Sequence, residues 1–254
     1  MLIIRLVYLY TFTLGLILGS FYNVVGLRVP NNQSITRPRS HCTKCKRTLA
    51  ALELVPVFSY LIQKGKCKGC GTKISAIYPT IEATTGLLFV YAFYHFGFSW
   101  ETIVAFVFIS LLVIIFVSDI HYMIIPDKVL LFFAPILLLM RYTLAPIDPW
   151  WDPLLGAVIG FSLLLAIAII SNGGMGGGDI KLFAVIGIVL GWKGVLLAFF
   201  FSTLLGAVIG IIGLRLGKMR RGEPIPFGPY IVAGTLLTYF FENPILAWYW
   251  NLFL

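Results

Sequence analysis

The sequence predicts an all-α polytopic membrane protein with about eight transmembrane helices. Three observations carry that reading. The 254 residues are 59% hydrophobic and only 11% charged, with a mean hydropathy of +0.96, which leaves too little polar surface to cover a soluble globule. The apolar runs are mostly near the roughly 20 helical residues that cross a bilayer, and they lack the alternation of barrel strands. The net charge of +9 is unevenly placed along the chain.

The first apolar run, Leu6 to Leu27, follows a single Arg5 and continues through Val24-Val25-Gly26. It is expected to remain as a membrane span rather than to be cleaved as a signal peptide, whose basic leader and short apolar core it lacks. The next spans are expected at Pro79 to Phe96, Thr102 to Val117, Val129 to Leu144 and Leu154 to Ile170, then Ile180 to Leu190, Val195 to Leu214 and Tyr230 to Tyr249. Ile180 to Leu190 is short. It is kept separate because merging it with its successor would place the basic cluster Arg215, Lys218, Arg220 and Arg221 outside, against the rule that basic loops stay cytosolic.

Ten of the nineteen Lys and Arg lie between Arg28 and Lys73, and sixteen fall on the predicted inner side. All six Trp (Trp100, Trp150, Trp151, Trp192, Trp248, Trp250) fall at predicted outer ends, where amphipathic rings favour the interface. Basic charge flanking membrane spans is explained by orientation more simply than by nucleic-acid binding, so no nucleic-acid partner is expected.

The four cysteines form two knuckles in the loop after the first span, Cys42-Thr43-Lys44-Cys45 and Cys67-Lys68-Gly69-Cys70, separated by 21 residues. Two C-x2-C turns supply four thiolates to a closed tetrahedral site, which predicts structural zinc in a reduced cytosolic loop. Lys44, Lys46, Lys66 and Lys68 favour the thiolates. His41 is expected to be a solvent-exposed neighbour. Leu52, Leu54, Val55, Val57, Phe58, Tyr60 and Leu61 are expected to form a small core for this zinc-stapled subdomain.

Two acids stand where an apolar chain tolerates them least. Asp119 closes the run Ile103 to Val117, and Asp179 follows Gly173-Gly174-Met175-Gly176-Gly177-Gly178. Each is either a helix-end cap or one half of a paired-carboxylate site, in which one carboxyl keeps its proton while the other activates water. Asp119 at a helix C-terminus and Asp179 at an N-terminus predict an electrostatic asymmetry between them. The glycine run permits irregular backbone beside Asp179, and its alternative is a flexible linker. Asp127 after Pro126 is expected to cap or assist, and Lys181 to hold a substrate carbonyl or reach to the interface. His121 is expected to be an interfacial polar residue and His95 to have no role. Asp148 and Asp152, beside prolines, are expected to form outer turns.

These residues resemble the type IV prepilin peptidases. Asp119 with Ile124-Ile125-Pro126-Asp127 resembles their first catalytic motif, and Gly176-Gly177-Gly178-Asp179-Ile180-Lys181 their GxGD motif. Gly19-Ser20-Phe21-Tyr22-Asn23-Val24-Val25 before Arg28-Val29-Pro30, the cysteine knuckles, Tyr78-Pro79 with Glu82, and Ile225-Pro226-Phe227-Gly228-Pro229-Tyr230 extend the likeness over nearly the whole chain. The cysteines place it with the longer bacterial branch.

The resemblance implies a bifunctional enzyme of the bacterial inner membrane, with its active site at the cytosolic face. Such enzymes remove the short basic leader from type IV prepilins or type II secretion pseudopilins, then N-methylate the new N-terminus with S-adenosylmethionine. Asp119 and Asp179 would be the aspartyl dyad, with Gly176, Gly178, Lys181 and Asp127 supporting it, while no residue is assigned to S-adenosylmethionine. The expected organisation is a first transmembrane helix (residues 1–27), the cysteine loop (28–78) and a polytopic peptidase domain (79–254). The rival class is a carboxylate-based transporter or channel, which predicts internal duplication and acids at mid-span.

Overall fold

The computed structural model describes residues 2–217 and 225–253. Lys218, Arg220 and Arg221 of the late basic cluster lie outside them. The described chain is helical, with only two isolated antiparallel bridges, His41 with Thr48 and Lys66 with Lys73. Its helices are α1 (Leu2–Arg28), α2 (Phe58–Ile62), α3 (Ile77–Phe96), α4 (Trp100–Tyr122), α5 (Asp127–Thr143), α6 (Asp152–Ile170), α7 (Gly177–Arg215) and α8 (Gly228–Phe253), with a 3-10 turn at Ala51–Leu54. Each predicted span falls inside a helix except Val129 to Leu144, which runs one residue past α5. By length and composition α1, α4, α6 and α7 can each cross a membrane.

The chain divides into two compact units, one ending at Val117 and the other beginning at Ser118. In the first, α1 packs along α3. Small residues set how close the helices come: a methyl at Gly15 would lie 2.7 Å from the Gly86 Cα, and one at Gly19 would lie 2.9 Å from the Glu82 Cα. Close backbone approach of this kind is how apolar helices gain van der Waals contact where lipid supplies no hydrophobic drive. The Phe89 and Phe106 rings stack at 4.4 Å, joining α3 to α4. Tyr22 and Ser110 share a buried 2.5 Å hydrogen bond that joins α1 to α4.

Polar groups at the end of this bundle hold the cysteine loop. The Asn23 side-chain amide donates to the Tyr78 carbonyl at 3.3 Å. Buried Glu82 accepts the Val57 N–H at 2.7 Å. Val57 has φ 60°, with Phe58 N–H closing back to the Pro56 carbonyl at 2.6 Å, a γ-turn of the strained hand. Of the motif residues, Glu82 holds the loop, while Gly19, Asn23 and Tyr78 join α1 to α3 and Tyr22 joins α1 to α4.

In the second unit, α6 and α8 both pack on α7, and α5 contacts it as well. Gly191, with φ 70° and ψ −176°, interrupts α7. Phe183 and Phe199 would stand about 24 Å apart on a straight helix, yet their ring centroids are 6.0 Å apart. The chain therefore folds back at Gly191, and α7 is two antiparallel arms, residues 177–190 and 192–215. The short sixth span and its successor are these arms. The first arm gains length by starting at Gly177 rather than Ile180.

Gly156 and Gly160 of α6 lie directly on the first arm, where a methyl at Gly156 would collide with the Gly187 carbonyl and one at Gly160 with the Phe183 carbonyl. Replacing Gly187 with Val should therefore destabilise the second unit by about 2–4 kcal/mol, in the range for overpacking against an unyielding backbone. Gly210, with nothing within 4 Å of an added methyl, should tolerate Ala without loss. Unfolding of both variants in detergent by denaturant titration checks the contrast.

Candidate active site and cysteine cluster

Four segments of the second unit converge around two carboxylates. Asp119 lies in the last turn of α4, where the run of apolar residues ends, and is buried at 5% exposure. Its Oδ2 accepts the N–H of Gly228, the first residue of α8, at 2.8 Å. The connection after it is tight: Met123 has φ 54°, its N–H donates to the Asp119 carbonyl at 2.8 Å, and the Ser118 hydroxyl donates to the Ile124 carbonyl at 2.5 Å. Ile124-Ile125-Pro126 is thereby fixed beside Asp119.

Asp179 enters from the start of α7. It is the third residue of the helix, with Gly176 as its N-cap. Its carboxylate turns back to the Gly176 N–H, as an acid at the third position does when it satisfies a free donor of the first turn. Gly178 makes the meeting possible. A side chain there would lie 2.8 Å from the Ile125 Cβ, so only glycine lets the start of α7 rest on the Ile124–Pro126 segment. Asp119 is close enough for its charge to act on the Asp179 carboxylate. Lys181 and Asp127, both more than half exposed, pair at 2.7 Å and tie the start of α7 to the start of α5.

The glycine run is built rather than slack. Gly173, with φ 89°, donates to the Ala168 carbonyl at 2.9 Å and closes the end of α6 in the left-handed conformation that favours glycine. Gly176 lies under the Asp179 carboxylate, where a methyl would sit 3.0 Å from Oδ2. A methyl at Gly177 would meet nothing within 4 Å.

Two expectations change here. The end-of-helix setting expected for Asp119 is only part of what it meets, because its carboxylate is received by the N-terminus of α8 although its own helix is ending. Both acids therefore face backbone donors at a helix start. Asp152 is not an outer-turn residue. It is buried, sits against Gly191, and its Oδ1 accepts the Trp192 N–H at 3.4 Å, capping the second arm of α7. Its one sequence signal is Asp-Pro at a helix start.

The cysteine loop forms a second site, in the first unit. The four Sγ atoms lie within 4.8 Å of one another, a cluster able to hold a metal ion, and none is in a disulfide. The nearest pairs are Cys42 with Cys70 at 3.8 Å and Cys45 with Cys67 at 4.0 Å. The knuckles share one design: Cys42 N–H donates to the Arg47 carbonyl and Lys46 N–H to the Cys42 carbonyl, while Cys67 N–H donates to Thr72 and Gly71 N–H to Cys67. Lys46 and Gly71 occupy matching left-handed positions, φ 59° and 68°. Backbone N–H groups of Cys70 and Gly69 lower the Cys67 thiol to about 6, poising it as a thiolate. His41 stands outside the cluster, its Nδ1 3.0 Å from the Arg39 carbonyl.

The expected apolar core of the loop is not found. Leu52, Phe58 and Leu61 are 80%, 58% and 64% exposed. What braces the loop besides the cysteines is a bidentate pair: Arg47 Nη2 and Nη1 donate to Glu53 Oε1 and Oε2 at 2.7 and 3.0 Å. The Ala50 N–H also donates to Oε2, at 2.9 Å. The Arg47 guanidinium, with help from that N–H, holds the Glu53 carboxyl at about 2, below its ordinary 4.5. A depressed acid contributes stability that is fully present above its unfolded value and is lost as pH falls through the folded one. Acidification should therefore protonate the cysteines and release bound metal first, leaving the Arg47–Glu53 brace intact to near pH 2. Metal content and loop proteolysis followed down the same pH series check the order, and Glu53→Gln should make proteolysis begin together with metal loss.

The chain is similar to known proteins over most of its length. Residues 13–96 match the Bacterial Peptidase A24 N-terminal domain, and residues 106–211 match the Type IV leader peptidase family. A prepilin leader peptidase/N-methyltransferase of Bacillus subtilis is 51% identical over 94% of this chain and 96% of its own length. Proteins of the same name from Stutzerimonas stutzeri and Pseudomonas aeruginosa are each 33% identical, over 93% and 88% of this chain and 91% and 87% of their own. No solved structure matches. The chain belongs to the type IV leader peptidase family.

Proposed function

We propose that this chain is a membrane-embedded aspartyl endopeptidase that removes the short basic leader from type IV prepilins or type II secretion pseudopilins, and that it then N-methylates the new terminus. The observation that carries the reading is the joining of Asp119 and Asp179 through the Ile125–Gly178 contact and the Gly228 N–H. Like charges so placed share one proton. The protonated carboxyl can donate to the scissile carbonyl while its ionised neighbour takes a proton from the attacking water, the titration belonging to the pair. Gly228 fixes Asp119 through its N–H. The comparisons lend no support to a transporter or channel.

S-adenosylmethionine is the proposed methyl donor, supplying an electrophilic methyl group to the new amine. Zinc is the metal proposed for Cys42, Cys45, Cys67 and Cys70, since Zn–S bonds of about 2.3 Å in a tetrahedron place sulfurs about 3.8 Å apart, as the nearest Sγ pairs here are. Four thiolates leave no open position, so the role is structural. The basic bias of the loops favours a cytosolic active site at the inner membrane of a bacterium, with prepilins or pseudopilins and the bilayer as partners.

Asp119→Asn and Asp179→Asn should each lower leader removal at least about a hundredfold while leaving detergent unfolding near wild type, as measured by the mobility shift of a co-expressed prepilin. Substantial cleavage by either variant removes that residue from the pair. In the same assay Gly177→Ala should cut normally, whereas Gly178→Val should lose cleavage because it forces α7 off Ile125. Serine at any one of the four cysteines should empty the metal site, as read by metal analysis of purified protein, without altering the unfolding of the second unit.

A further inference from the structure

The apolar residues that line no core in the cysteine loop define a surface. Leu52, Phe58, Leu61 and Ile62 are 80%, 58%, 64% and 77% exposed, and Val55 is exposed beside them. They are carried by the Ala51–Leu54 turn and α2, which contact each other, and the γ-turn at Val57 that sets the start of α2 is held from α3 by Glu82. So large an apolar set on one small element marks a contact surface.

Charge identifies the partner. Lys44, Lys46, Lys64, Lys66, Lys68 and Lys73 are all exposed around this element, while the one acid between Arg28 and Lys73 is Glu53, already matched by Arg47. Helices α1 and α3, on either side of the loop, keep it near a bilayer at all times, so a modest intrinsic affinity suffices to hold it there. A basic, tethered element with bare Leu, Ile and Phe is the composition of an interfacial segment that inserts apolar side chains among headgroups while lysines meet anionic lipid. A basic peptide leader is repelled by the same field. We infer that residues 51–62 form a membrane-surface anchor that docks the cysteine loop onto anionic phospholipid, independently of peptide cleavage.

The test uses the full chain with a fluorescent non-natural amino acid replacing Ile62, reconstituted in nanodiscs whose lipids carry brominated acyl chains. With phosphatidylglycerol the fluorophore should be quenched several-fold more strongly than with phosphatidylcholine, and the difference should vanish in 1 M salt, where the Debye length is about 3 Å. Lys64→Glu with Lys73→Glu, two exposed lysines outside the set that favours the thiolates, should lose most of the quenching while metal content and detergent unfolding stay at wild-type values, which separates loss of docking from loss of fold. Equal quenching in the two lipids, or none in either, overturns the inference. Quenching that appears only when a prepilin is added also overturns it, in favour of a protein partner.

Discussion

The second unit depends on one recurring device, the seating of a carboxylate on the start of a helix where a glycine leaves it room. An acid among apolar helices is costly unless donors receive it, and free N–H groups are available only at a helix start. Asp119 is received by Gly228, Asp179 lies over Gly176, and Asp152 lies against Gly191 with the Trp192 N–H as its donor. A side chain at Gly228 or Gly191 would occupy the space of the carboxylate, and one at Gly176 would press against it. Glycine and acid are therefore one functional unit, and replacing either exposes the cost of the other.

That device also fixes architecture. Asp152 caps the arm beginning at Trp192, so the fold-back at Gly191 is stabilised by the same residue that opens α6. The close crossing of Gly156 and Gly160 on the first arm of α7 then holds the arm whose opposite end carries Asp179. Gly178 on Ile125 completes the frame by resting that end on the segment after Asp119. Precision at the two acids thus comes from helix ends and backbone contacts, which move less than loops carrying long side chains.

Much of this was legible in the sequence, for identifiable reasons. Apolar run length gave the helices, and the basic residues after Leu214 kept Ile180 to Leu190 separate from Val195 to Leu214 despite its brevity; the reversal falls at Gly191, whose backbone only glycine accepts without strain. The cysteine spacing gave the cluster because a knuckle is a local structure. The partner of Asp119 was not legible: Gly228 is 109 residues away, and a backbone N–H leaves no trace in residue type. Asp152 was misjudged because Asp-Pro marks a turn and a helix start equally well. Leu52, Phe58 and Leu61 were misjudged because hydropathy reports that a residue avoids water, not whether protein or lipid replaces it.

The central claim is that Asp119 and Asp179 act together on one peptide bond. The most direct measurement is an experimental structure of the Asp179→Asn variant with an uncut prepilin bound. The account predicts that the scissile carbonyl lies within hydrogen-bond reach of Asp119 and of the side chain at position 179, about 2.6–3.2 Å directly or through one water, with Gly228 still donating to Asp119. A scissile bond seated elsewhere, or one reached by only one of the two side chains, would contradict it.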